Sequence, residues 1–263
     1  MRRQRDLGYS PAWRSGTKVV LPPLIKSLMK RDWQGHRQFP RQGGMLVAAN
    51  HLSYADWPAM SLFVYQARRY PVFLVKASAF DVKLIGPFLW VLGQLPVRRG
   101  ETDAALVLKE GERALAAGEC VVIYPEGTAT RDPAGWPMVA RTGVARLALA
   151  TGVPVIPVAQ WGAQEILPYG STKPHLAPRK TVRMLAGPPV DLTAFEGKPL
   201  TRDVVRGATN AIMADITALL GELRGEQPPV VPYDPAAARG HAAEGVQGVS
   251  AAEGAQNEAT PTA

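Results

Sequence analysis

The sequence predicts an α/β fold, a single domain in which a mixed, largely parallel β-sheet is flanked by helices. Short, fully apolar runs alternate with longer amphipathic segments along the chain. Such short apolar runs are typical of strands that are buried on both faces, as they are inside a parallel sheet. The 263 residues, 46% hydrophobic and 20% charged, are enough for one domain with a sizeable core.

The order of strands and helices follows from these patterns. Strands are predicted at 45–49, 72–75, 121–124, 155–159 and 182–185. Helices are predicted at about 53–67, 102–117, 138–150 and 204–220. The second helix has the clearest ends, because Thr102 can cap it and Gly118 can stop it. Pro157 lacks the N–H that a sheet ladder uses, so it indicates an edge strand or a bulge.

The two ends of the chain differ from its middle. The sequence divides into a basic arm with an amphipathic segment (1–40), a folded domain (41–226) and a Pro-, Ala- and Gly-rich tail (227–263) that is predicted to be disordered. Four apolar residues of the amphipathic segment have helical spacing, with lysines beside them: Leu24, Ile25, Leu28 and Met29. Such a segment can lie in a membrane interface, or it can pack as a short helix on the body.

The charge of the chain is concentrated at its front. Residues 1–41 hold ten Lys and Arg residues against Asp6 and Asp32, and the whole chain has a formal net charge of +8. This charge favours an anionic partner, which could be nucleic acid, a phosphorylated metabolite or an anionic membrane. A basic surface that only keeps the protein soluble is the alternative interpretation.

Several functional classes lack their sequence signals. There is no Gly-x-Ser-x-Gly motif, which argues against a hydrolase of that type. No His or Cys cluster has metal-ligand spacing, and no basic stretch is interleaved with aromatics, so we expect neither a metal nor a nucleic-acid partner. The single Cys120 favours a reducing compartment. We expect neither a secretory signal nor a transmembrane helix, but a protein that is soluble or lies on a membrane.

The most informative stretch follows the strand predicted at 45–49. His51 stands at the end of this strand, and Asp56 lies in the early turns of the helix that follows. A carboxylate in that position can bind one ring nitrogen, which leaves the other nitrogen free to take a proton. A histidine that caps the helix and an aspartate that complements the helix dipole are the structural alternative.

A second polar stretch, 125–131, follows the strand predicted at 121–124. Gly127 permits a tight turn, Thr128 and Thr130 offer hydroxyl groups, and Arg131 offers a guanidinium group for a phosphate. The glycine spacing matches neither a phosphate-binding P-loop nor a dinucleotide fingerprint, and an ordinary turn is the alternative. The pair Arg98-Arg99 also follows an apolar stretch and could bind phosphate, or it could be an exposed basic pair.

Together these stretches resemble the glycerolipid acyltransferases, in particular the bacterial 1-acyl-glycerol-3-phosphate acyltransferases. The resemblance covers roughly residues 40–190. It rests on the order of four motifs: Asn50-His51 with Asp56, Gly93 to Gly100 with Arg99, Pro125 to Thr128, and Val153 to Val158 with Pro157. The spaced combination is far more specific than any one of the motifs.

The resemblance implies a glycerolphosphate-acyltransferase-like fold and a transfer reaction. The acyl group would move from acyl-CoA or acyl carrier protein to the free hydroxyl of 1-acyl-glycerol-3-phosphate, giving phosphatidic acid. His51 would be the general base and Asp56 the carboxylate that orients it. The residues expected to bind substrate are Arg99, Glu126, Gly127, Thr128, Thr130, Arg131 and, on the acyl side, Pro157.

The implied chemistry agrees with the residues. A hydroxyl attacks a thioester well only when a base removes its proton, and no enzyme nucleophile or cofactor is needed beyond the acyl donor. Such a protein is expected to bind an anionic membrane surface at the cytoplasmic face of the cell membrane, as a peripheral or monotopic protein.

Two positions depart from the family pattern. Thr130 stands where many members have Ser, and Arg98 stands where an acidic residue is frequent. The added positive charge either favours a more anionic acceptor or has no effect. Another lysophospholipid, a glycolipid or a lipidated amino acid therefore remains an alternative acceptor, and a lipid-binding protein without catalysis is the other alternative.

Overall fold

A seven-stranded sheet forms the centre of the molecule. A computed structural model describes residues 22–23, 25–83, 85–97 and 101–238, with the backbone alone described for 85 and 101–107. The strands are β1 (Lys30–Gln34), β2 (Met45–Ala49), β3 (Pro71–Lys76), β4 (Leu95–Val97), β5 (Cys120–Ile123), β6 (Val155–Trp161) and β7 (Thr181–Ala186). Their spatial order is β1-β7-β6-β2-β5-β3-β4.

Helices cover both faces of this sheet. They are α1 (Asp56–Gln66), α2 (Ile85–Val91), α3 (Glu101–Ala116), α4 (Gly143–Thr151), α5 (Ala163–Ile166) and α6 (Arg202–Arg224). Short 3₁₀ turns lie at His36–Gln38, Ala77–Ala79 and Thr193–Phe195. Strand β2 is buried throughout, and its alternate residues belong to two different cores. Met45, Val47 and Ala49 pack with α1, whereas Leu46 and Ala48 pack with α4 and α6.

The direction of the strands decides where a site can form. Strands β2 to β6 run parallel to one another, β7 runs antiparallel to β6, and β1 pairs parallel to β7. The carboxyl ends of β2, β5, β3 and β6 therefore lie together at one edge of the sheet, which we call the carboxyl edge; the opposite edge is the amino edge. The predicted mixed, largely parallel α/β sheet is confirmed.

Two strands were not predicted. Strand β1 has the sequence Lys-Arg-Asp-Trp-Gln and is mostly exposed at the edge of the sheet, so it carries no apolar run. Strand β4 has only three residues, one of them Pro96. The helix predicted from 138 begins only at Gly143, because the N–H groups of Met138 and Val139 bond to Glu126 and Tyr233 instead.

Of the two alternatives predicted for Pro157, the edge strand is wrong. Strand β6 lies inside the sheet, between β7 and β2. The pairing of β6 with β7 begins at Val158, so the missing N–H of Pro157 falls just beyond that ladder. The carbonyl of Pro157 still accepts the N–H of Gly187 at 3.0 Å.

The predicted domain boundaries differ from the observed structure at both ends. Ile25 and Met29 are buried in the core, and β1 belongs to the sheet, so the folded part begins well before residue 41. Where it is described, the amphipathic segment packs on the body. At the other end the structure continues to 238, and Tyr233 pairs with Met138. Residues 1–21 and 239–263 lie outside the described residues.

None of the helices in the described part of the chain combines the length and the apolar content that a membrane crossing requires.

Candidate active site

The candidate base is the imidazole of His51, which follows β2 at the carboxyl edge. Its Nδ1 lies 2.8 Å from Oδ2 of Asp56, the first residue of α1. The side chain of His51 is 12% exposed, whereas that of Asp56 is fully buried. The predicted pair is therefore in contact, with the carboxylate on the protein side and the imidazole at the surface of the site.

The other hydrogen bonds of Asp56 decide which partner donates in the bond between His51 and Asp56. Oδ2 also accepts the N–H groups of Leu52 at 2.6 Å and Ser53 at 2.9 Å. Since this oxygen accepts from two backbone groups, the Nδ1 of His51 also donates to it. The lone pair of the imidazole is then on Nε2, which makes no hydrogen bond among the described residues. Nε2 is the atom that can take a proton from a substrate.

The backbone of His51 is held by the segment that follows β5. Its N–H donates to Oε1 of Glu126 at 2.8 Å, and its carbonyl accepts the N–H of Thr130 at 2.7 Å. The second oxygen of Glu126 accepts the N–H of Met138 at 3.0 Å. Glu126 is only 4% exposed. The segments after two neighbouring strands are thus joined through one buried carboxyl group.

Burial raises the pKa of Glu126 to about 8. The backbone N–H groups of Met138 and His51 favour the charged carboxylate and lower the pKa, but the loss of solvent outweighs them. The nearby charge of Asp56 raises the pKa further. The proton occupancy of Glu126 therefore changes slightly above neutral pH.

An aromatic ring supports the imidazole. The ring of Tyr124 stacks on that of His51, with 4.3 Å between centroids and 16° between planes. Burial, followed by the charge of Asp56, raises the pKa of Tyr124 well above its usual value, so the phenol stays neutral. A neutral ring in this position restricts the rotation of the imidazole without adding a charge.

The residue before His51 is locked to the neighbouring strand. Asn50 Nδ2 donates to the carbonyl of Gln160 at 3.0 Å, and Asn50 Oδ1 accepts the N–H of Gln160 at 2.8 Å. Gln160 Nε2 donates to the carbonyl of Asn50 at 2.6 Å. These bonds join the ends of β2 and β6 immediately beside the base.

The other predicted site residues are spread more widely. Gly127 has φ 75° in the turn after Glu126, and a Cβ there would lie 3.0 Å from Nε of Arg141. Thr128 is half-buried and Arg131 is exposed. The hydroxyl of Thr130 is engaged within its own loop, donating to the carbonyl of Trp136 at 2.7 Å. Pro157 is the register partner of Ala48, and Arg99 lies outside the described residues.

Three neighbours of the site were not singled out from the sequence. Tyr124 is the aromatic residue at the end of an aliphatic run, and Gln160 is a polar residue within an apolar run, so both stand out in the sequence. Arg141 does not stand out in the sequence, because only folding brings it over Gly127. An arginine beside this turn could contact an anionic group. Within the described residues, no group of three or more His, Cys, Asp and Glu side chains could hold a metal ion.

The chain was compared with known proteins. Residues 30–161 match the family model described as Acyltransferase. A chloroplastic 1-acyl-sn-glycerol-3-phosphate acyltransferase of Brassica napus is 30% identical over 150 residues, which are 56% of this chain and 42% of the relative. The 1-acyl-sn-glycerol-3-phosphate acyltransferase of Borreliella burgdorferi is 26% identical over 147 residues, which are 56% of this chain and 52% of the relative.

A third relative carries a different acceptor in its name. The lyso-ornithine lipid O-acyltransferase of Pseudomonas aeruginosa is 37% identical over 123 residues, which are 46% of this chain and 43% of the relative. The chain thus spans about half the length of the curated relatives it matches. Its fold is similar to the crystal structure of the acyltransferase PlsC from Thermotoga maritima, with a TM-score of 0.61 and 21% identity over 82% of this chain and 83% of that one.

Proposed function

This chain belongs to the Acyltransferase family, and we propose that it moves a fatty acyl group to the free hydroxyl of 1-acyl-glycerol-3-phosphate, giving phosphatidic acid in phospholipid biosynthesis. The acyl donor is an acyl-CoA or acyl carrier protein thioester. The observation that carries the proposal is the 2.8 Å contact of His51 Nδ1 with buried Asp56, which leaves Nε2 free at the carboxyl edge. The names of two relatives support the acceptor.

The reaction proceeds in two steps. Nε2 of His51 takes the proton of the acceptor hydroxyl as its oxygen forms a bond to the thioester carbonyl carbon. The tetrahedral intermediate then collapses, the carbon–sulfur bond breaks, and the leaving thiolate takes the proton back from His51. Asp56 stabilises the imidazolium that exists between these steps, because its buried Oδ2 already accepts from Nδ1.

Basic side chains at the edge of the site suit an anionic acceptor. Arg141 lies over Gly127, and Arg131 is exposed in the same loop. A guanidinium group can bind a phosphate with two parallel hydrogen bonds. Both arginines follow β5, so a phosphate held there would lie on the segment that also contacts His51.

A lyso-ornithine lipid is the second candidate acceptor. The relative named for that reaction is 37% identical to this chain over the matched part, compared with 30% and 26% for the two relatives named for 1-acyl-glycerol-3-phosphate. The mechanism at His51 is the same for both acceptors, since each presents a free hydroxyl. The two functions would differ only in the protein side chains that bind the acceptor headgroup.

An acceptor panel separates these functions. The protein is incubated with a long-chain acyl-CoA or acyl carrier protein, and free thiol and acylated product are measured with lysophosphatidic acid, lyso-ornithine lipid, another lysophospholipid and a lysoglycolipid. We expect the highest kcat/KM with lysophosphatidic acid. Turnover restricted to lyso-ornithine lipid would select the second candidate, and vesicle binding without turnover of any thioester would support a non-catalytic lipid-binding protein.

The protein is proposed to work at the cytoplasmic face of the cell membrane as a peripheral protein. Large exposed apolar side chains occur on the segments that follow β2, β3 and β6 at the carboxyl edge: Tyr54, Trp57, Phe88, Trp90, Tyr169 and Leu176. Trp and Tyr side chains suit the headgroup region, where one part of the ring is apolar and the other meets water. The net charge of +8 adds attraction to anionic lipids.

Vesicle binding tests this orientation. The double variant Trp57→Ser/Trp90→Ser is expected to bind phosphatidylglycerol vesicles about tenfold more weakly, because two apolar anchors are lost. Leu200→Ser is the control, since Leu200 is also exposed but lies just before α6, away from the carboxyl edge. Equal binding by both variants would contradict the proposed orientation.

A further inference from the structure

The geometry points to Glu126 as a positioning residue for His51 and not as a ligand of the acceptor. The inference rests on the proposed function, because it concerns how the base of that reaction is held. It differs from the role that the sequence resemblance implies for Glu126, which is binding of the acceptor's phosphate.

The first reason is that both oxygens of Glu126 are already engaged inside the protein. Its two oxygens accept the N–H groups of His51 at 2.8 Å and Met138 at 3.0 Å. The residue is 4% exposed, so a substrate would have to displace one of these backbone groups to reach it.

The second reason is that Glu126 holds the backbone of His51, from which the side chain extends. Asp56 holds the Nδ1 atom and Tyr124 packs on the ring face, so together they set the rotation of the imidazole. Those contacts fix the position of Nε2 only if the backbone from which the side chain extends is fixed as well. Glu126 and the N–H of Thr130 hold that backbone from its two sides.

The third reason is the bond from Met138 to Glu126. Met138 lies in the extended stretch before α4, and its N–H closes the loop that starts after β5. The same stretch leads to Arg141, whose N–H donates to the carbonyl of Pro125 at 2.9 Å. Glu126 therefore fixes the position of the base relative to the loop that carries the exposed basic side chains.

A double-mutant cycle tests the inference. Glu126→Gln preserves the shape of the side chain but can offer a good acceptor to only one of the two N–H groups. Because a small displacement of a base has a large effect on rate, we expect kcat to fall about ten- to a hundredfold, with the KM for the lipid acceptor within about twofold of wild type. In a His51→Ala background the same substitution is expected to change kcat less than about twofold.

The matched control is Glu110→Gln, a substitution of the same chemistry on α3 at the surface, where Glu110 pairs only with Arg113 among the described residues. It is expected to leave kcat and KM unchanged. A rise in acceptor KM with kcat preserved in Glu126→Gln would assign Glu126 to substrate binding and overturn the inference. An equal loss of kcat with or without His51 would overturn it too.

A measurement on the wild-type protein needs neither activity nor a variant that folds. In a pH titration followed by nuclear magnetic resonance, the backbone amide proton of His51 is expected to move upfield as the pH falls through about 8, because Glu126 then gains a proton and becomes a weaker acceptor. A His51 amide shift that does not follow the protonation of Glu126 would overturn the inference. If no thioester assay shows turnover, the proposed function fails. The titration then still tests whether Glu126 accepts the backbone N–H of His51.

Discussion

Buried side chains of opposite charge type, a guanidinium and carboxyl groups, hold the loops at the two edges of the sheet. At the amino edge the buried guanidinium of Arg69 donates to the carbonyls of Pro40 and Gly43 at 2.6 Å each and of Gly118 at 2.8 Å. These carbonyls belong to the segments that lead into β2 and β5. At the carboxyl edge, carboxyl groups accept N–H groups from the segments that leave the same two strands.

The two edges differ in what their buried charged side chains leave unsatisfied. The guanidinium at the amino edge is surrounded by backbone acceptors and is 7% exposed. At the carboxyl edge Oδ1 of Asp56 has no hydrogen-bond partner among the described residues, and the imidazole of His51 is partly exposed. Buried polar groups with open positions reduce stability, and they persist where a site needs them. Under the proposed function, the amino edge stabilises the fold and the carboxyl edge carries the chemistry.

A large effect on activity is expected from Asp56→Asn. The amide oxygen can still accept from Nδ1 of His51 and the two backbone N–H groups, because Oδ1 has no partner to lose, but the negative charge that stabilises an imidazolium is gone. We expect kcat for acyl transfer to fall about a hundredfold or more. Steady-state kinetics with the preferred acceptor measure the change. An Asp56→Asn protein with wild-type kcat would show that the carboxyl edge has no part in the chemistry.

The opposite pattern is expected for Arg69→Met. Three buried carbonyls lose their donor, which is expected to lower the free energy of unfolding by about 3 kcal/mol or more. The kcat of the protein that remains folded should stay within about twofold of wild type. Urea unfolding gives the first quantity. The neighbouring substitution Arg68→Met is the control, because Arg68 is exposed, and it should change stability by less than about 0.5 kcal/mol. Equal destabilisation by the two variants would contradict the role of Arg69.

A smaller effect for each pH unit is expected in the pH dependence of stability. Burial raises the pKa of Glu126 from 4.5 to about 8, so between these values the folded protein binds a proton that the unfolded chain has lost. The unfolding free energy of wild type should therefore fall relative to Glu126→Gln as the pH rises across this window, by at most about 1.4 kcal/mol per pH unit. Urea unfolding of both proteins at several pH values measures the difference. A constant difference would mean that the carboxyl group is not desolvated.

The parts of the structure that depend on local sequence could be predicted. The strands around His51 and Tyr124 are apolar runs, and His51 and Asp56 are five residues apart, so their contact needs only a strand end and a helix start. The same reasoning failed for β1, whose five polar or amphipathic residues form an edge strand through backbone bonds to β7. No side-chain pattern records that pairing.

The contacts between strands could not be predicted. The bond from the N–H of His51 to Glu126 is one of them, because nothing in the sequence indicates that β5 lies beside β2. The three carbonyls of Arg69 are likewise distant in sequence and meet only when the strands are in order. The order of residues along the chain predicts the helices and strands, whereas the partners of buried polar groups depend on the spatial order of the strands in the sheet.

The division between the two edges is tested most directly by measuring kcat and the free energy of unfolding on the same preparation of His51→Ala, with His175→Ala as the control at an exposed histidine. The account predicts a loss of acyl transfer of about a thousandfold in His51→Ala, with an unfolding free energy within about 1 kcal/mol of wild type. His175→Ala should leave both unchanged. Full acyl transfer by His51→Ala would contradict the account, because Nε2 of His51 would then not be the base.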